Sequence, residues 1–175
     1  IPITATTEAR GNLDSATSYG VGVVSSILFD PIGWTGAKLD FEGEVRKSSL
    51  RDPLTGNFRR IGDDKIFTYE ATLRHDIPGS NWAWGAGLED FRYSKFLRLD
   101  QVTRFHTGAP YSWIFVEHKD VFGLTVQANL GNLFGRSENF TRTAYADRRD
   151  GPIAFVEDRS REFGLIYRLT VSGSF

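Results

Sequence analysis

Three histidines are the residues with the most obvious capacity for metal binding or catalysis. His75, His106 and His118 lie on three separate segments of the chain. None of them has the paired spacing of a helical zinc site, and none has a sequence neighbour that would complete a catalytic triad. We therefore predict no metal site, no cofactor and no catalytic histidine.

Closely spaced carboxylates are the second group that could do chemistry. A pair among Glu42, Glu44 and Glu70 could act as the general acid and base of a glycoside hydrolase. Their segments also carry Arg46 and Arg74, which favours ion pairing on a polar strand face over catalysis. We therefore predict that the protein is not an enzyme.

Arginine and aromatic residues are concentrated in one segment, residues 136–162. Arg148, Arg149 and Tyr145 lie near its centre. Guanidinium groups pair with anions and stack on aromatic rings. We predict that these three side chains contact an anionic or aromatic ligand, such as a ferric chelate. A solvated loop would have the same composition, and that alternative stays open.

The composition excludes several classes of function. The chain has 175 residues, a formal net charge of −1, no Cys and no Met. A balanced charge does not attract nucleic acid, and a chain without Cys has no thiol chemistry. Because the chain begins at Ile1 and has no signal peptide, we interpret it as a processed or excised piece of a longer protein.

The elements that carry these side chains are predicted to be β-strands, because apolar and polar residues alternate with a period of two. Between residues 37 and 47, one face carries five successive charges. The alternation predicts seven strands: Thr17–Phe29, Ala37–Lys47, Lys65–Asp76, Asn81 to about Arg104, Tyr111–His118, Phe122–Leu130 and Glu162–Phe175. The long fourth strand is expected to contain a bulge or bend near Asp90 and Phe91.

The predicted connections alternate in length. Tight links are expected at Asp30–Gly36, Ile77–Ser80 and Lys119–Val121, and longer loops at Leu50–Asp64, Phe105–Pro110 and Arg136–Asp158. In an up-and-down meander, all tight turns then lie at one end and all longer loops at the other. Outer-membrane barrels have this asymmetry, and their aromatic residues gather near the strand ends.

We predict an all-β fold, an antiparallel up-and-down transmembrane β-barrel. Strands of ten or more residues match a tilted membrane crossing, whereas soluble strands usually have about five or six residues. No stretch approaches the roughly 20 consecutive apolar residues of a transmembrane helix. Single-chain bacterial barrels have even strand numbers, so about seven strands indicate part of a larger barrel.

Several strings, in this order, resemble the C-terminal barrel region of TonB-dependent receptors. They are SATSYGVGVVSSILFDPIGWTG, SSLRDPLTGNFRRI, LRHDIPGSNWAWGAGL, VQANLGNLFG and GLIYRLTVSGSF. The resemblance runs from about Asp14 to Phe175. It implies that residues 1–175 are the C-terminal part of the barrel domain of a receptor in the bacterial outer membrane, and that the plug domain is absent from this sequence.

The resemblance also implies a function and a set of partners. Such receptors are barrels of about 22 strands that import a scarce nutrient such as a siderophore. Expected partners are outer-membrane lipid, the N-terminal plug domain of the same full-length chain, TonB indirectly through that plug, and the outer-membrane assembly machinery; nucleic acid is not one of them. The final strand, with Tyr167 and Phe175, resembles the signal that the assembly machinery recognises.

Two other functions stay open at this stage. A small self-contained outer-membrane barrel, used for adhesion or passive diffusion, would share the strand pattern. A soluble lipocalin-like barrel that binds a small apolar ligand would also alternate, but its apolar side chains would point inward.

Overall fold

The computed structural model describes residues 4, 7, 8 and 15–173, and this part of the chain is all-β. Within it, no helix is long and apolar enough to cross a membrane. Its twelve strands are β1 (Ala16–Leu28), β2 (Ala37–Arg51), β3 (Phe58–Arg59), β4 (Lys65–Asp76), β5 (Trp82–Tyr93), β6 (Phe96–Leu97), β7 (Gln101–Thr107), β8 (Tyr111–Val121), β9 (Leu124–Gly131), β10 (Ser137–Tyr145), β11 (Ile153–Glu162) and β12 (Ile166–Ser172).

Seven strands form one antiparallel meander in the order β1-β2-β4-β5-β8-β9-β12, with β3 added beside β2. The predicted all-β antiparallel fold and its seven-stranded path are confirmed. The bounds of β4 coincide with the predicted Lys65–Asp76. The sheet is open, because β1 and β12 do not pair with each other within the described residues.

A second sheet of four strands has the order β11-β10-β7-β6. The prediction of long loops was wrong here, because Arg136–Asp158 contains β10 and most of β11, and Phe105–Pro110 begins inside β7. In β10 polar residues occur on both faces, so the apolar alternation that predicts a strand is weak. Tertiary pairing with β7 and β11 sets this segment's conformation.

The predicted long strand from Asn81 to Arg104 was also wrong beyond Tyr93. The chain leaves the meander after β5, and its next strands belong to the second sheet. The β5 strand does not change face near Asp90; Phe91 lies on the same face as Glu89 and stacks on Phe105 at 6.4 Å. The register irregularity lies instead in the partner strand, between Lys65 and Phe67.

The turn between β8 and β9 differs from its prediction by a few residues. Strand β8 extends to Val121, and Phe122 is in the turn with φ 55° and Gly123 with φ 81°. Two successive residues with positive φ are typical of a two-residue hairpin turn whose twist matches the strands. All three tight turns of the meander therefore lie at one end, as predicted.

Candidate functional site

The main sheet has one apolar face, which we call the lipophilic face. Direct cross-strand neighbours share a face, and one row of them crosses all seven strands. The row consists of Ile27, Leu39, Leu73, Ala86, Ile114, Leu130 and Tyr167. Much of this face is exposed to solvent: Val21 is 74 % exposed, Val45 58 % and Val116 50 %.

Aromatic side chains border the lipophilic face near both ends. At the tight-turn end, the indole N–H of Trp84 donates to Nδ1 of His75 at 3.1 Å, and Trp34 packs on the same imidazole at 5.5 Å. Beside them, the rings of Trp82 and His118 meet at 4.6 Å. Towards the loop end the aromatic residues are Tyr19, Phe67, Tyr69 and Tyr167. Two of the three histidines therefore pack against tryptophan.

The opposite face of the sheet, which we call the polar face, carries a network of ion pairs. Arg74 Nη2 lies 2.5 Å from Glu117 Oε1 and 3.0 Å from Asp76 Oδ1. Lys119 Nζ is 2.6 Å from Asp76, and the amide of Gln127 donates to Glu117 at 3.0 Å. These side chains come from three strands, so the network ties β4, β8 and β9 together.

The predicted pairing of the polar-face carboxylates is only partly confirmed. Glu44 pairs with Arg46 at 2.7 Å. Glu42 and Glu70 have no cationic partner within 4.0 Å in the described part of the chain, because Arg74 reaches Asp76 and Glu117 instead. Glu42, Glu70 and Glu89 are direct cross-strand neighbours, so three carboxylates stand in one row across three strands.

A cavity of about 270 Å³ lies on the polar face next to this row. Its lining comes from β4, β5, β8, β9 and β12: Glu70, Glu89, Tyr111, Trp113, Asn129, Gly131, Ile166 and Arg168. Sequence reasoning missed this cavity, since alternation places Tyr111 and Trp113 in a strand but does not identify their neighbours on other strands. The polar alternation of β4, β9 and β12 was the available signal, but the strand register decides which polar residues meet.

The three predicted ligand residues lie at the β10–β11 hairpin, where Arg149 is already engaged. Its side chain is 9 % exposed, and Nη2 donates to both carboxylate oxygens of Asp52 at 3.0 and 3.1 Å. Its Nε also donates to the carbonyl of Arg98. Asp52 follows β2, and it pairs with Arg59 as well. Arg149 therefore fastens the hairpin to the β2–β3 connection.

Arg148 and Tyr145 lie near Arg149 but have different surroundings. Arg148 Nε is 3.6 Å from Asp150, and its side chain is 32 % exposed. Tyr145 lies at the end of β10 and borders a cavity of about 270 Å³ that Glu8, Arg98 and Asp147 also line. Ligand contact by Tyr145, Arg148 and Arg149 stays a prediction. Of the two arginines, Arg149 has fewer N–H donors left for a ligand.

Elsewhere in the segment 136–162, arginines stack on aromatic rings across the second sheet. Arg159 lies over Phe140 at 4.5 Å and Arg142 over Phe155 at 5.2 Å. A cavity of about 660 Å³ adjoins the first pair, with Phe105 and Arg161 in its lining. The sequence shows that this segment is rich in arginine and aromatic residues. It does not show which of them pair, because the pairs depend on the β10–β11 register.

The two residues predicted to form the assembly signal have different outcomes. Tyr167 is in β12, on the lipophilic face, and is 77 % exposed. Phe175 lies outside the described residues. Recognition of this strand by an assembly machinery stays a prediction.

The pKa of Asp52 follows from its surroundings. Burial by itself raises the pKa of this carboxyl, because a low dielectric disfavours the charged form. The backbone N–H of Leu54, the guanidinium of Arg59, the N–H of Thr55 and the charge of Arg149 together outweigh that effect. The pKa of Asp52 is therefore held below its usual value, and the ionised form favours the folded loop.

We expect docking of the hairpin to weaken in acid for this reason. A carboxyl with a lowered pKa in the folded state stabilises that state. This stabilisation is complete above the ordinary carboxyl pKa of about 4, and it is lost as pH falls through the lowered value. A nitroxide at Asp147, which is exposed, should become more mobile in the electron paramagnetic resonance spectrum as pH falls below about 4. In Asp52→Asn the label should be mobile at neutral pH already; a pH response that persisted would contradict the assignment.

No group of three or more His, Asp or Glu residues in the described part of the chain could hold a metal ion. Comparison with known proteins gives no match: no protein family, no curated protein and no solved structure is significantly similar to this chain. Function is therefore inferred from the two faces of the sheet and from the cavity.

Proposed function

We propose that this chain forms part of the wall of an outer-membrane β-barrel, with its lipophilic face towards lipid and its polar face towards the lumen. The observation that carries the proposal is the apolar row across seven strands, in which Ile27, Ile114 and Tyr167 are exposed and the other four side chains are partly exposed. Soluble monomers rarely expose an apolar patch of more than a few hundred Å². In a transmembrane barrel the same surface is covered by lipid, while the polar side chains face water inside.

The strand lengths support the proposal. Strands β4 and β5 each have 12 residues. At about 3.3 Å per residue this is roughly 40 Å, which at a tilt of about 40° spans roughly 30 Å, the thickness of a bilayer's hydrocarbon core. The aromatic residues at both ends of the lipophilic face then lie where aromatic girdles meet the lipid headgroups.

The direction of the edge strands indicates how such a wall would be completed. Six antiparallel pairings separate β1 from β12, so these two strands run in the same direction. Pairing them directly would place a parallel contact in an antiparallel barrel. An odd number of further strands between the two edges restores the alternation and gives the even total that bacterial barrels have.

For the biological role, we propose that the barrel is a TonB-dependent receptor that imports a scarce nutrient. The support is the resemblance of five successive strings to that family and the alternation of tight turns with long connections. The four-stranded second sheet, which includes β10 and β11, is then inserted in the connections at the loop end, which is the extracellular side in such barrels. The plug, TonB and the assembly machinery are partners under this proposal.

Site-directed spin labelling of the full 175-residue chain in micelles and vesicles tests the orientation of the two faces. Neighbouring positions on one strand serve as matched controls for each other, because they differ only in face. The pairs are Leu39 with Asp40, Phe41 with Glu42, and Val126 with Gln127. We expect the first label of each pair to be accessible to oxygen and the second to a water-soluble nickel complex.

The opposite result would identify a different class of protein. If labels at the first position of each pair were shielded from both oxygen and the nickel complex, the apolar side chains would form an interior core. A soluble β-domain that binds an apolar ligand would then replace the membrane barrel.

A further inference from the structure

The cavity on the polar face has a flat aromatic wall. The ring of Trp113 lies across Gly87 on the neighbouring strand, since a Cβ at Gly87 would be 2.1 Å from Cζ2 of the indole. Trp113 also lines the cavity. One side of the ring therefore packs on backbone, and the other side is left as a platform. Glycine at position 87 is what allows this close approach.

Polar groups that lack partners surround this platform. In the described part of the chain, the indole N–H of Trp113, the hydroxyl of Tyr111 and the guanidinium of Arg168 have no hydrogen bond or ion pair. Glu70 accepts one long hydrogen bond, from Thr72 at 3.4 Å. Glu89 lies 3.7 Å from Arg136. The cavity thus has free donors and free acceptors that do not satisfy one another.

The mixture of these groups selects the class of ligand. Hydroxyl groups donate and accept, so a ring with several of them can satisfy carboxylates and a guanidinium together. The weakly positive C–H groups of such a ring suit the negative face of an indole. Glu70 and Glu89 would repel an anion, and the guanidinium groups of Arg168 and of Arg136, which lies 3.7 Å from Glu89, offset the attraction of the two carboxylates for a cation. The volume is just below the usual range for small-molecule sites, which fits a single ring.

We propose that this cavity is a binding subsite for a neutral polyhydroxylated ring, a sugar residue, stacked on Trp113 and hydrogen-bonded by Glu70, Glu89 and Arg168. The inference adds a solute class to the proposed function. It rests on that function in one respect, which is that the polar face must border water.

Saturation-transfer NMR on the full chain in lauryldimethylamine oxide, a detergent without sugar, tests the subsite. The probes are glucose, maltose and cellobiose, with spermidine and gluconate as charged controls. We expect saturation transfer to the ring protons of at least one of the three sugars and to neither control. Glu70→Gln and Glu89→Gln should each raise the sugar Kd about tenfold, since a charged acceptor is replaced by a neutral one. Trp113→Phe, which still covers Gly87, should raise it about threefold.

Glu42→Gln is the matched control, because Glu42 stands in the same carboxylate row but does not line the cavity. It should leave the Kd unchanged. Absence of binding for all three sugars would overturn the subsite, and so would binding that responds equally to Glu42→Gln or that favours spermidine or gluconate. The spin-label pattern separates the two proposals: an intact pattern without sugar binding rejects the subsite alone, whereas shielded labels on the lipophilic face reject the membrane barrel.

Discussion

Replacing Arg149 with Ala should release the β10–β11 hairpin from the rest of the chain. Asp52 is 2 % exposed, and its ion pair with Arg149 would be broken from one side. Removing one partner of a buried ion pair commonly costs about 3 kcal/mol or more, because the other charge is left desolvated. Arg59 still contacts Asp52 in this variant. We therefore expect the docked hairpin to be destabilised by about 3 kcal/mol, at the lower end of that cost.

Hydrogen exchange measured by mass spectrometry over residues 144–152 is the appropriate readout, since the effect is local. Amide protection there should fall about a hundredfold in Arg149→Ala, while protection in β4 and β5 stays unchanged. Arg148→Ala is the matched control: that side chain is more exposed and 3.6 Å from its partner. Equal protection in the two variants would show that Arg149 does not fasten the hairpin and is free for a ligand.

Placing an arginine in the middle of the lipophilic face should destabilise the folded chain in lipid. Ala71 lies between Phe41 and Leu88, midway between the aromatic residues at the two ends of the face. Arginine near the midplane of a transmembrane barrel costs about 2–4 kcal/mol, because the guanidinium must be desolvated or must draw water into the bilayer.

Thr72→Arg is the control, since the neighbouring residue points to the polar face, where it is opposite Asp40. Unfolding by urea in phospholipid vesicles should give a loss of about 2–4 kcal/mol for Ala71→Arg and a change below about 1 kcal/mol for Thr72→Arg. Equal losses for the two variants would contradict a lipid-facing surface, because only a difference in medium separates these two positions.

The sequence by itself determined the strands of the meander and which residues share a face. Alternation is a local property: in a strand, neighbouring side chains point to opposite sides whatever the partner strand is. For this reason Lys65–Asp76 was predicted with its bounds, and the charged set Lys38 to Arg46 was placed on one face. The tight turns also carried local signals, Pro and Gly at 31–36 and 78–79.

Local signals failed where tertiary pairing sets the conformation. Residues 137–145 have polar side chains on both faces, and they form a strand because β7 and β11 supply hydrogen-bonding partners. Beyond Tyr93 the alternation continues, but the chain leaves one sheet for another.

The candidate sites depended most on the tertiary structure. Arg149 and Asp52 are 97 residues apart, and no spacing rule connects an arginine in a hairpin turn with a carboxylate after β2. Likewise, Glu70 and Arg168 line one cavity only because five strands pair in a particular register. A shift of one residue in any of these strands would move its side chain to the opposite face. The sequence determined which side chains each strand carries on each face, and the strand register decided which of these side chains lie next to one another.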